Sequence, residues 1–196
     1  MTTLTPGVEM SMQAAAAQGA FLLSQYERWL AGLADVHRGL EPTPGVKTAG
    51  WLVGHLVITG DFARKLCGRP PLVPKEWRPL FAPGTTPDRD SGAYPPMEAM
   101  VAAFHAVYRD LIASAPAAST ETLALPNPFE PARGAFPTAG SFVVYILTGH
   151  LGYHLGRSPA DRGRESGQGA DVPGAGHAQP GRMLGVLRGR RRRRAA

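Results

Sequence analysis

Four stretches of helical apolar periodicity, each fenced by proline and glycine, restrict this chain to a helical fold. Over residues 8–36, Phe21, Leu22, Gln25, Trp29, Leu30 and Leu33 recur at helical spacing behind the helix-favouring Ala14–Ala17 run. The EPTPG segment at 41–45 stops that helix, because proline lacks an N–H and clashes with the preceding turn. A second helix is predicted over 48–67, with Thr48 as N-cap and Trp51, Leu52, His55, Thr59 and Phe62 on one face. Gly68 and Pro70 end it, and Arg64 and Lys65 suit its C-terminal dipole. A third is predicted over 95–115, with Met97, Met100, Val101, Phe104, Tyr108, Leu111 and Ile112 in a stripe. A fourth runs from an N-cap at Thr138 to at least Gly156, with Val143, Ile146, Leu147, His150, Leu151 and His154 along one side. Residues 69–95 and 116–137 read as long loops, the first packed by Trp77, Leu80 and Phe81. No strand alternation competes, so the expected fold is all-α, a four-helix bundle.

Charge divides the chain in two. Its net charge of +6 is carried by the end: residues 157–196 hold ten arginines against three acids, whereas residues 1–156 are close to neutral. The expected organisation is a helical bundle over 1–156 and a disordered Arg/Gly-rich tail over 157–196. The bundle offers no electrostatic reason to bind nucleic acid. The Arg190–Arg194 run could touch phosphates, but without interleaved aromatics it reads as a solvated tail, so nucleic-acid binding is not expected. A single cysteine, Cys67, rules out an internal disulfide and fits a reducing compartment. With no signal-peptide pattern at the N-terminus and no apolar run long enough for a bilayer, the expected location is the cytoplasm, with no membrane partner.

The candidate chemistry lies in the histidines. His150 and His154 are four residues apart on a predicted helix, which puts both rings on one face about 6 Å apart. His55 sits on the apolar side of another helix. Three imidazoles could hold one divalent ion and leave a coordination position open, the arrangement of a catalytic rather than a structural site. Each histidine alone is more often a core residue with a satisfied hydrogen bond, and spacing leaves the two readings equally open. The absence of Glu beside His150 excludes the H-E-x-x-H zinc-protease pattern. Cys67 lies about 18 Å along the helix from His55 and reads as a buried thiol rather than a ligand. His105 reads as structural or exposed, His37 falls at a helix end and His177 in the tail. Asp61 reads as a solvated or helix-pairing charge and Tyr153 as a packing residue, with roles beside a metal as the alternative.

TAGWLVGHLVITGDFARKL at 48–66, with FPTAGSFVVYILTGHLGYHLG at 136–156, resembles the DinB/YfiT-like superfamily. The resembling motifs are Trp51-x-x-x-His55 on the second helix and His150-x-x-x-His154-x-Gly156 on the last, and the likeness covers about residues 10–156. It implies an up-down-down-up four-helix bundle and a tri-histidine metal site, with His55, His150 and His154 as ligands and zinc or nickel as the ion. Family relatives transfer low-molecular-weight thiols to electrophiles, isomerise with thiol help or carry hydrolase-like assignments. The resemblance therefore implies a divalent-metal-dependent enzyme such as a thiol S-transferase acting on a small molecule. The alternatives are a metal-dependent hydrolase and a non-catalytic metal-binding or stress-associated bundle. A homodimer is expected by the same likeness. The family's glutamine after the last glycine is Arg157 here, so the turn supporting the site from below departs from the pattern.

Overall fold

A computed structural model describes residues 6–41, 45 and 47–156. The expected tail, with Arg157, His177 and Arg190–Arg194, lies outside the described residues. Long helices α1 (Pro6–Leu30), α2 (Ala49–Leu66) and α4 (Met97–Ser114) are joined by a composite fourth. That fourth comprises α6 (Ala139–Tyr145), a π-helical turn over Ile146–His150 and α7 (Leu151–Leu155). Short helices α3 (Arg78–Phe81) and α5 (Thr120–Ala124) lie in the two long connections. Among the described residues no strand forms; Pro126 and Thr138 make an isolated antiparallel bridge.

Contacts fix the topology. The start of α4 meets the end of α1, where Met97 N–H donates to Asp35 Oδ1 at 2.7 Å, and a Cβ on Gly19 would touch Ile112 near the other end, so α1 and α4 are antiparallel. α2 and α4 run parallel, with Tyr108 Oη donating to the Leu56 carbonyl at 3.1 Å and Arg64 paired with Asp110 further along both. Phe62 packs on Phe142 and His55 on His150, so α2 and the fourth helix are antiparallel. Tyr26 Oη donates to the Leu151 carbonyl at 2.8 Å, late in both α1 and the fourth helix. The helices are thus up, down, down, up, as the resemblance implies. Around the bundle they follow the order α1, α4, α2, fourth helix, which leaves α1 and α2 on a diagonal. Gly60 permits the close α2–α4 approach, since a Cβ there would lie 2.7 Å from Val107 and 2.9 Å from Tyr108.

Both N-caps read from sequence form. Thr48 Oγ1 accepts from Trp51 N–H, and Thr138 makes a reciprocal capping box with Ser141; each such cap is worth ~1 kcal/mol. Three expectations change. The first helix ends at Leu30 rather than 36, with a turn at Ala31–Gly32 and a 3₁₀ turn at Asp35–His37, where His37 Nδ1 accepts from Ala34 N–H. Its buried face is Met12, Ala15, Leu23, Tyr26, Trp29 and Leu30, so Phe21 points outward, 64% exposed. The fourth helix is not one regular helix: its last described α-helical residue is Leu155, and a π turn interrupts it. Among the described residues no helix is long and apolar enough to cross a membrane.

Candidate metal centre

The π turn decides which residues of the last helix share a face. Phe142, Ile146, His150 and His154 all face one cavity, four residues apart throughout. On a straight α-helix three such steps would drift by roughly 120°. One extra residue per turn in a π segment removes about 100° of that drift. His150 and His154 therefore stay in line with the aromatic residues of α6.

His55 arrives from α2 and meets this pair. His55 Nε2 lies 3.2 Å from His150 Nε2. The ring centroids of His55 and His154 are 5.2 Å apart, and those of His150 and His154 are 4.6 Å apart. One ring nitrogen from each residue can be chosen so that all lie within 4.8 Å of one another. Nitrogens bonded to a common ion at ~2.1 Å, roughly 100° apart, are separated by about 3.2 Å, so the His55–His150 pair already has chelating spacing.

Surrounding groups hold His55. The peptide carbonyl of Phe81, at the end of α3, accepts from His55 Nδ1 at 2.9 Å. That bond assigns the proton to Nδ1 and turns the Nε2 lone pair toward the other histidines. Trp51, one turn earlier on α2, stacks on the imidazole with centroids 4.6 Å apart and planes 11° from parallel. Phe81 reaches this place because residue 54 is glycine: a Cβ there would lie 2.5 Å from the Phe81 ring. Gly54→Ala is expected to push Phe81 away, cost about 1–3 kcal/mol of stability through overpacking and weaken metal retention. Thermal unfolding and a metal titration check this; an unchanged melting temperature would show that Phe81 yields freely.

Burial keeps the cluster uncharged. Desolvation holds the His150 pKa down to about 2, with the neighbouring His154 and His55 adding to the effect. Desolvation, then the charge of His55, lowers His154 to about 4. His55 is also lowered by burial, against its bond to Phe81. Neutral imidazoles are the form that ligates metal. The Nδ1 atoms of His150 and His154 are buried with no hydrogen-bond partner among the described residues. Each buried polar atom left unpaired costs ~1–3 kcal/mol, and in His150 the nitrogen that faces His55 is the other one, Nε2. The donor set, its spacing and its protonation fit a divalent ion.

The three rings border a cavity of about 780 Å³. Phe62, Phe129, Phe136, Phe142 and Tyr145 wall it, and Phe136 stacks on Tyr145 with centroids 4.3 Å apart. A family model described as the DinB superfamily matches residues 20–157. The chain belongs to the DinB superfamily. No curated protein matches it. The superfamily match spans all three histidines and ends just past them.

The other candidates fall elsewhere. Cys67 caps the C-terminus of α2, buried, and desolvation raises its pKa to about 11, so it is a protonated thiol remote from the cluster. Asp61 pairs with Arg64 at 2.7 Å, the helix-pairing role. Tyr153 stands at the cavity rim, 54% exposed, edge-on to His154. His105 lies on α4 away from the cavity, its pKa lowered by burial. Sequence reasoning missed the Phe81 carbonyl, which no side-chain pattern can signal, and Phe129 and Phe136, which sit in non-periodic connections. Trp51 was on the right face, and its i, i+4 spacing to His55 carried the signal.

Proposed function

We propose that the protein is a divalent-metal-dependent enzyme that transfers a low-molecular-weight thiol to an electrophilic small molecule. The observation that carries this reading is the position of the histidine cluster at the wall of a large aromatic cavity. His55, His150 and His154 would hold the ion, zinc or nickel, both of which suit imidazole ligands. The bound ion would lower the pKa of a thiol entering the open position, so that a thiolate is present at neutral pH.

The chain's own residues supply the rest. Phe81 and Trp51 fix the orientation of His55. The aromatic walls bind an apolar electrophile and exclude water, which would otherwise compete as nucleophile. In the transfer a sulfur–carbon bond forms as the carbon–halogen bond or an epoxide C–O bond breaks. The halide leaves, or the epoxide oxygen takes up a proton, and the thiol proton is released. Protein loaded with zinc or nickel should convert a chlorinated arene or an epoxide in the presence of common cellular thiols. Turnover without thiol would mark a hydrolase instead, and no turnover with any thiol would leave a binding protein.

A further inference from the structure

The aromatic cavity adjoins a smaller cleft of about 220 Å³, and Ile58, Phe62 and Arg78 border both. The α2 residues His55, Ile58, Phe62 and Lys65 form one unbroken stripe along this path. The stripe extends about 15 Å from the histidines to Lys65. Lys65, Lys75 and Arg78 converge on the cleft.

Their charges are uncompensated. Among the described residues, every other Lys or Arg side chain has a carboxylate partner or a hydrogen bond. Lys65, Lys75 and Arg78 have neither; the Arg78 guanidinium lies over the Phe62 ring, 5.7 Å from its centroid. The acid in the same cleft, Asp61, is already engaged: its Oδ1 accepts from Arg64 Nη1 at 2.7 Å and from Leu72 N–H at 2.9 Å. Glu76 does not border the cleft.

We propose that this cleft is a binding subsite for the carboxylate of an organic acid whose apolar body lies in the aromatic cavity. Arg78, which borders both spaces, offers a planar fork of donors that suits a carboxylate, and the two lysines add charge around it. A ligand with its reacting end at the histidines therefore carries its acid group roughly 10–15 Å away, across an apolar span. The inference rests on the cavity being the substrate site, but not on the metal.

The test uses 6-phenylhexanoate and its methyl ester, titrated calorimetrically into chelator-treated full-length protein at low salt, so that no ion can bind the acid. The acid should bind about tenfold more tightly than the ester or better, the range of a charge-assisted hydrogen bond. In Arg78→Gln/Lys75→Gln the preference should vanish while ester affinity and metal content stay as in wild type. Equal binding of acid and ester by wild type, no binding of the acid, or a preference that survives in the variant would overturn the proposal. A preference kept in protein that never takes up metal would refute the enzyme reading and leave the subsite standing.

Discussion

Replacing His150 by alanine should reduce bound zinc or nickel from about one ion per chain to a small fraction, the largest single effect expected at this site. His150 is the central ring: its Nε2 lies 3.2 Å from that of His55, and its centroid lies 4.6 Å from that of His154. Its loss leaves two ligands on separate helices with no preset bite. Truncation also removes a buried polar atom without a hydrogen-bond partner, so the metal-free variant should be at least as stable as metal-free wild type. Wild type alone should gain stability on metal addition, since an ion that binds the folded state stabilises it by mass action. Elemental analysis with thermal unfolding in chelator and in excess zinc separates these outcomes. Equal metal content in both proteins would remove the site.

The same burial sets a pH response with a definite sign. The unfolded histidines take protons near pH ~6.5. The folded cluster resists them until far lower, because burial holds His154 near 4 and His150 near 2. Stability from this cluster is therefore complete above pH ~6.5 and drains as the pH falls, at about 1.4 kcal/mol per pH unit for each proton the unfolded chain binds in excess. In metal-free protein the urea unfolding midpoint should therefore fall as the pH drops below ~6.5, followed by helical circular dichroism. A midpoint that does not change between pH ~7 and ~5 would contradict the buried geometry.

The histidine convergence was legible because two local periodicities carry it: Trp51 to His55 and His150 to His154 are each one helical turn. The resemblance then supplied the pairing across about 95 residues that no local pattern contains. The π turn was not legible. Nothing in ILTGH distinguishes i→i+5 from i→i+4 hydrogen bonding, and a separation of four residues between His150 and His154 holds on either account. The cap of α4 was hidden for a similar reason: Met97 N–H finds its acceptor in Asp35, 62 residues earlier, after a proline that carries no capping side chain. In α1 the alanine-rich start and the outward Phe21 blurred the apolar stripe, so periodicity identified the helix but not its buried face. The connections expected as loops hold the cavity's far wall. Their Phe129 and Phe136 gain meaning only once Thr138 has started the last helix beneath them.

Asp61→Ala should cost about 3 kcal/mol or more, because it strips a fully buried guanidinium of the more buried of its two carboxylate partners. Arg64 is 1% exposed on the inner face of α2. Its Nη1 donates to Asp61 Oδ1 at 2.7 Å and to the Pro70 carbonyl at 2.9 Å, and its Nε donates to Asp110 Oδ2 at 2.7 Å. Asp61 Oδ1 also accepts from Leu72 N–H at 2.9 Å, so this one carboxylate ties α2 to the segment that leads into α3. Asp110 cannot take over, because it is shared with Arg69 at 3.0 Å and is more exposed. Asp61→Asn, which keeps an acceptor for Leu72 but loses the charge, should fall between the two. Joint replacement Asp61→Leu/Arg64→Met removes both charges and should cost less than Asp61→Ala alone, since a buried charge that has lost one of its two partners is worse than none. Urea unfolding midpoints order the variants. The site lies six residues along α2 from His55, about 9 Å, so metal content per folded molecule should hold in every variant. A cost below about 1 kcal/mol for Asp61→Ala would mean that water reaches Arg64 and that the α2–α4 seam is looser than its contacts indicate.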